Sequence, residues 1–111
     1  MMNETFLKSL FEQAVAAADP LKVIQGHLPP APKGKTVVIG FGKAAASMAR
    51  AVEEHWSGNL TGLVVTRYEH GMDCQNIRVV EAGHPLPDAA GNEAAEEIFS
   101  RVQGLSSDDL V

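Results

Sequence analysis

The most informative feature of the sequence is a run of β-branched residues that is followed by two glycines, a lysine and then apolar residues at helical spacing. Residues 36–39 read Thr-Val-Val-Ile, the run ends at Gly40, and Gly42 and Lys43 follow. From Lys43 to residue 56 the apolar side chains recur every three or four positions. The run predicts a strand buried on both faces, and the periodicity predicts an amphipathic helix. A strand that turns straight into a helix favours a parallel sheet covered by helices.

The rest of the chain repeats this alternation. Residues 62–66 and 77–80 predict two further strands, and residues 110–111 predict the start of a fourth. Between them, Asp88 predicts the cap of a helix that continues to about residue 102. We therefore predict an α/β fold, a Rossmann-like and mostly parallel sheet with flanking helices.

The amino-terminal segment predicts two helices and a stiff connector. Apolar side chains recur at helical spacing from Asn3, which can cap the helix, to about residue 18. Asp19 and Pro20 predict the start of a short second helix, because aspartate caps well and proline is tolerated in the first turn. Prolines at three of the four positions 29–32 then interrupt regular structure.

Length, charge and cysteine content exclude several classes of protein. We divide the 111 residues into N-terminal helices with a Pro-rich connector, residues 1–34, and a Rossmann-like portion, residues 35–111. A net charge of −5 argues against nucleic-acid binding, and the apolar stretches are too short to span a membrane. The single cysteine, Cys74, fits a reducing compartment, so we predict a cytoplasmic protein.

The first loop at the carboxyl edge of the sheet carries the strongest site signal. Ligands of open α/β sheets bind outside this edge. Gly40 and Gly42 let backbone amides approach a ligand, while Lys43 and a helix N-terminus favour phosphate. The spacing is not that of a Walker A loop, but with Ala45 it satisfies the dinucleotide pattern in its Gly/Ala form. Arg67 stands where that pattern has an acidic residue. A turn that only allows close packing, with Lys43 in solvent, is the alternative.

The other two loops at this edge contribute an arginine and two histidines. His84 precedes two prolines in a rigid loop and can exchange a proton near pH 7, although a histidine bonded within a proline turn is the alternative. Arg67 and His70 follow the second strand, where His70 either lines the cleft or is solvated. The four histidines show no ligand spacing, so we predict no metal ligand among them.

These motifs together resemble the glycerate 2-kinase family, the MOFRL-type kinases, many of which carry the provisional label of hydroxypyruvate reductase. The segments that carry the resemblance are residues 38–45, 64–68 and 81–88, in this order and spacing. The similarity covers nearly the whole chain and corresponds to the N-terminal part of the family sequence. The resemblance therefore implies that the Rossmann-like portion, residues 35–111, is incomplete at its C-terminal end, and the exposed edge of an incomplete sheet predicts self-association. Family members usually read Tyr-Gly-His where residues 68–70 of this chain read Tyr-Glu-His.

The resemblance implies an enzyme that uses ATP and a divalent metal such as Mg²⁺ to phosphorylate D-glycerate to 2-phosphoglycerate. It implies that Lys43 acts at the phosphoryl-transfer site and that His84 lies in the same cleft. Other catalytic groups, including the general base, then come from later in the family sequence, so we expect this portion alone to be inactive.

Two alternatives to a kinase remain open from the residues. An NAD(P)H-dependent hydroxypyruvate reductase is permitted by the dinucleotide pattern, and Arg67 after the second strand favours a 2′-phosphate. A non-catalytic nucleotide-binding or assembly domain is permitted by the same sheet edge. For either enzyme the predicted substrate is a small molecule, D-glycerate or hydroxypyruvate.

Overall fold

The computed structural model describes residues 3–111 and builds them around a parallel sheet of three strands. The strands are β1 (Val37–Phe41), β2 (Thr61–Arg67) and β3 (Ile77–Ala82), with β2 in the centre. In the register of the sheet, Val38 of β1 and the first residue of β3 both pair with Gly62 of β2. The predicted α/β fold with a parallel sheet is confirmed.

The last residues of the chain lie on the other side of β1. A parallel bridge joins Thr36 to Leu110. The Val37 N–H donates to the Leu110 carbonyl, and the Leu110 N–H donates to the Lys35 carbonyl, both over 2.9 Å. The strand order therefore reverses at β1, with β2 and β3 on one side and the Leu110 segment on the other. In open α/β sheets such a switch point is where ligands bind.

The helix α3 (Ala45–His55) covers one face of the sheet. Its Ala49 packs with Val64 of β2 and Ile77 of β3 in the apolar core. Because alanine side chains are short, this helix can pack close to the strands. The turn that precedes it lies at the carboxyl edge of the sheet, where β1 ends.

The helix α4 (Ala89–Arg101) covers the opposite face of β2 and β3. Its Glu97 forms an ion pair with Arg78 of β3, and its Arg101 donates to the Thr61 hydroxyl over 3.2 Å. Arg78 and Thr61 alternate along their strands with the residues that face α3, which is why the two helices are on opposite sides.

Two amino-terminal helices, α1 (Glu4–Ala17) and α2 (Pro20–Val23), precede the sheet, and a 3-10 turn follows at Ile24–His27. The side chains of Asn3 and Asp19 cap them by accepting backbone N–H hydrogen bonds at 2.9 and 3.0 Å, so both predicted helix starts are confirmed. None of the α1 residues is buried. Within residues 3–111, no helix combines the length and the apolar character needed to cross a membrane.

The first strand differs from its prediction in length and in burial. β1 continues through Gly40 to Phe41, and it is not buried on both faces, since Ile39 is 40% and Phe41 85% exposed. The reason is tertiary: α4 packs against β2 and β3 and leaves this face of β1 open. The prediction of a doubly buried strand was wrong.

A carboxylate of α3 holds the beginning of β3. Glu53 accepts hydrogen bonds from the backbone N–H groups of Gln75, Asn76 and Ile77 at 2.8, 2.7 and 2.7 Å. Burial by itself raises the pKa of Glu53, but the three donors outweigh it and hold the pKa below its ordinary value. Glu53 therefore stabilises the connection between β2 and β3 in its charged form.

We expect Glu53→Gln to lower the free energy of unfolding by about 2 kcal/mol, because a neutral amide offers these donors a single acceptor oxygen. The folded-state pKa is lowered, so the contribution of the carboxylate is present above the ordinary glutamate range. It is lost as the pH falls through the lowered pKa. Urea denaturation at pH 7 and at acid pH measures the difference, which shrinks in acid. Glu54→Gln, which affects only an exposed ion pair with Arg50, is the matched control and changes little.

Candidate functional site

A cleft of about 260 Å³ opens at the carboxyl ends of the three strands. It brings together four of the predicted site residues, one or two from each of the three loops: Gly42, Lys43, Arg67 and His84. The other lining residues are Phe41, Val65, Thr66, Ala82 and Gly83. A larger hollow of about 460 Å³ is lined by residues from the amino ends of β1 and β2, but Lys35 is the one charged residue that lines it.

The turn after β1 is held by backbone geometry and by β2. Gly42 has a φ of 124°, a backbone conformation that residues with a Cβ atom rarely adopt. Its N–H donates to the Val65 carbonyl over 3.0 Å, and its carbonyl accepts from the Ala45 N–H over 3.2 Å. The buried Thr66 hydroxyl donates to the carbonyl of Lys43 over 3.4 Å. The backbone of Lys43 is therefore anchored while its side chain is exposed to the cleft.

The helix α3 begins at Ala45, two residues later than predicted, so Lys43 precedes the helix. The early start was wrong because Gly42 and the two residues after it form a turn. The N-cap is Ala44, whose side chain has no acceptor, and the first N–H groups of the helix receive no side-chain cap. The Lys43 ammonium makes this wall of the cleft positive, and the positive end of the α3 dipole lies two residues further along the chain.

Gly40 and His70 do not line the cleft. Gly40 lies inside β1, where a Cβ would approach Val64 Cγ1 to 3.2 Å, so its small size serves the packing of β1 beside β2. His70 lies in the turn after β2, and its N–H donates to the Arg67 carbonyl over 3.2 Å. A ligand contact of either residue stays a prediction.

The cleft is suited to an anion rather than to a metal ion. Lys43, Arg67 and His84 are exposed around it, and none of the described residues that line it is acidic. Across residues 3–111, no group of histidine, cysteine, aspartate or glutamate side chains is arranged to hold a metal ion. The donor set therefore fits phosphate or carboxylate and does not fit Mg²⁺.

Sequence reasoning missed two residues that shape this cleft. Thr66 fixes the Lys43 turn, and its signal was a polar side chain at the end of an otherwise apolar strand. Tyr68 donates a hydrogen bond to Asp88 at 2.7 Å, although Asp88 was predicted only as the cap of α4. That cap is confirmed, since Asp88 also accepts from the Gly91 N–H over 3.0 Å. No sequence pattern near Asp88 predicts its hydrogen bond to Tyr68, because the two residues are 20 positions apart.

The one departure from the family motif falls on an unusual backbone position. Glu69 has a φ of 68°, the left-handed region that favours glycine, and glycine is the residue that the resembling family usually has there. We expect Glu69→Gly to raise the free energy of unfolding by about 1 kcal/mol, because glycine adopts this conformation without strain. Urea denaturation measures the gain. His70→Gly, at a neighbouring position of ordinary φ, is the control and gives none; equal effects of the two changes would contradict the explanation.

The sequence matches the DUF4147 family, described as a domain of unknown function, over residues 6–111. The chain belongs to this family. A protein of Agrobacterium vitis, provisionally named hydroxypyruvate reductase, is 49% identical over 106 residues, which are 95% of this chain and 24% of the relative. A glycerate 2-kinase of Pyrococcus horikoshii is 34% identical over 114 residues, covering 92% of this chain and 26% of the relative. The DUF4147 chain thus spans about a quarter of the length of these relatives, and the resemblance to glycerate 2-kinases is confirmed.

Two crystal structures share the fold of this DUF4147 chain. A protein of Pyrococcus horikoshii OT3 superposes with a TM-score of 0.78 at 31% identity, covering 99% of this chain and 29% of that one. A glycerate kinase of Thermotoga maritima superposes with a TM-score of 0.74 at 24% identity, covering 89% of this chain and 25% of that one. Because the sequence identity to the Thermotoga maritima protein is only 24%, this similarity shows a shared fold and nothing more.

Proposed function

We propose that this chain forms the phosphate-binding N-terminal part of a glycerate 2-kinase, which transfers the γ-phosphate of ATP to D-glycerate and yields 2-phosphoglycerate. The observation that carries the proposal is the convergence of Lys43, Arg67 and His84 on one cleft beside Gly42. The relative from Pyrococcus horikoshii that is named glycerate 2-kinase supports it.

Phosphoryl transfer requires the kind of groups that line this cleft. The glycerate hydroxyl oxygen forms a bond to the γ-phosphorus and loses its proton to a base, while the bond from that phosphorus to the bridging oxygen of ADP breaks. Charge on the phosphoryl oxygens is then stabilised by fixed positive groups. In this chain Lys43 and Arg67 supply full charges at the cleft, and the positive end of the α3 dipole adds a partial one.

The proposed cosubstrate is ATP, and Mg²⁺ stays an expectation from the family resemblance. The cleft offers nitrogen donors and no carboxylate among its described lining residues. We therefore assign no step of the reaction to a metal ion held by this chain, and none of its residues is proposed as a metal ligand.

A coupled assay of ADP release tests the proposal on a full-length family member that carries this chain. We expect ADP release that depends on D-glycerate, and the same mixture without D-glycerate is the control. Release that never exceeds this background contradicts the kinase. We expect the 111-residue chain alone to bind ATP without turnover, since the relatives are about four times as long.

A second candidate is an NAD(P)H-dependent hydroxypyruvate reductase. Arg67 at the end of β2 favours it, because a basic residue there suits the 2′-phosphate of NADPH, and the Agrobacterium vitis relative bears that provisional name. Loss of NADPH absorbance on adding hydroxypyruvate to the full-length protein supports the reductase, and a flat trace removes it.

A non-catalytic nucleotide-binding or assembly domain is the third candidate. This candidate predicts that the 111-residue chain binds ATP. It also predicts that the full-length protein has neither kinase nor reductase activity. Self-association through the open edge of the sheet and location in the cytoplasm stay predictions.

A further inference from the structure

A hydroxyl and a carboxylate join the two loops that flank the cleft. Tyr68 Oη donates a hydrogen bond to Asp88 Oδ2 at 2.7 Å, which links the loop after β2 to the loop after β3. The other carboxylate oxygen, Asp88 Oδ1, accepts from the Gly91 N–H and caps α4. Asp88 therefore uses its two oxygens for two tasks, and helix capping explains one of them.

The loop that carries His84 closes on the same carboxylate. A Cβ at Gly83 would lie 2.5 Å from the Leu86 carbonyl oxygen and 2.9 Å from Asp88 Oδ2, so the loop folds back over Gly83. Its two ends meet at Asp88, and His84 lies between them at the cleft. A contact that fixes Asp88 thereby fixes the backbone on which His84 stands.

Tyr68 and Asp88 keep each other in the protonation states that their hydrogen bond requires. The bond from Tyr68 is the largest cause that lowers the pKa of Asp88. The bond to Asp88 is the largest cause that raises the pKa of Tyr68. Tyr68 consequently remains a hydroxyl donor, and Asp88 a charged acceptor, throughout the neutral range.

A second contact joins the loop after β2 to β3 itself. The N–H of Glu69 donates to the carboxylate of Glu81, one residue along from the Tyr68 contact. Arg67 lines the cleft and directly precedes Tyr68. The sheet pairs Arg67 with Ala82, two residues before His84, and the Tyr68–Asp88 bond is the contact that joins the loop after β2 to the far end of the His84 loop.

We propose that Tyr68 is a positioning residue, which through Asp88 holds His84 opposite Lys43 and Arg67 so that all three groups reach one anionic ligand. This inference rests on the proposed function, because it takes the nucleotide phosphates as that ligand. Tyr68 does not line the cleft and is 51% exposed, so it acts through the His84 loop rather than by touching the ligand.

The test is a double-mutant cycle between Tyr68→Phe and His84→Ala. Tyr68→Phe removes the hydroxyl and keeps the ring. Titration calorimetry measures the binding of ATP to the 111-residue chain in the wild type, in each single variant and in the double variant. We expect Tyr68→Phe to weaken ATP binding about tenfold when His84 is present and less than about twofold when it is alanine. Leu86→Ala, at an 80% exposed position of the same loop, is the matched control and leaves binding unchanged.

Equal weakening in both backgrounds, or weakening in neither, overturns the proposal. If the wild-type chain binds no ATP, phosphate binding by this part alone is contradicted, the kinase is judged by ADP release from the full-length protein, and nuclear magnetic resonance of the unliganded chains decides the positioning role. We then expect Tyr68→Phe to shift the His84 imidazole resonances and to speed amide exchange at Gly83 about tenfold, which Leu86→Ala does not do. Unchanged His84 resonances in Tyr68→Phe overturn the inference by themselves.

Discussion

Gly62→Ala is expected to lower the free energy of unfolding by about 3 kcal/mol or more, a large part of the total for a chain of this size. Gly62 is buried in the central strand and pairs with Val38 of β1. A Cβ there would lie 2.8 Å from the Val38 carbonyl carbon and 2.9 Å from its nitrogen. Because the obstacle is backbone, no side chain can rotate out of the way, and β1 must move away from β2.

Urea denaturation followed by Trp56 fluorescence and circular dichroism measures this loss. Gly26→Ala is the matched control, since a Cβ at Gly26 meets nothing within 4 Å, and its stability stays close to that of the wild type. A Gly62→Ala protein as stable as the Gly26→Ala protein would contradict the strand geometry. Displacement of β1 also moves the Gly42 turn, so ATP binding is expected to be lost together with stability.

Lys43→Met is expected to lower kcat of the proposed kinase by about a hundredfold to a thousandfold, the usual effect of removing one fixed group that stabilises transition-state charge. Methionine retains much of the side-chain length and removes the ammonium. Lys43 is exposed and its backbone is held through the Thr66 hydroxyl and the turn at Gly42, so the fold is expected to stay intact.

The assay is glycerate-dependent ADP release by the full-length protein, with circular dichroism to verify folding. Lys33→Met, at an exposed position of the Pro-rich connector, is the matched control and keeps full activity. A Lys43→Met enzyme that retains more than about a third of the wild-type kcat would show that Lys43 does not act at the transferring phosphate.

Features decided within a few residues were predictable from the amino-acid sequence. The caps at Asn3, Asp19 and Asp88 each join a side chain to an N–H two or three residues ahead, so residue type and spacing were sufficient. The three strands were found for a similar reason, because β-branched runs between turn residues favour extended backbone whatever surrounds them.

The location of the candidate site could be predicted from the sequence, but the set of residues that line it could not be predicted in full. Parallel strands end at one edge, so Lys43, Arg67 and His84 were expected near each other, and they line one cleft. The same argument placed His70 at that edge. The cleft occupies only part of the edge, and His70 does not line the cleft. Which loop residues face inward depends on turn geometry, such as the positive φ of Glu69, that residue types alone do not specify.

By itself, the sequence determined the alternation of strands and helices, the caps and the edge at which the charged residues gather, because these follow from local interactions and from the direction of parallel strands. The tertiary structure alone decided that β1 has one open face, that Thr66 holds the Lys43 turn and that Tyr68 bonds to Asp88. Those contacts join residues twenty or more positions apart. They exist only once the helices have taken their places on the sheet and the strand register has brought the loops together.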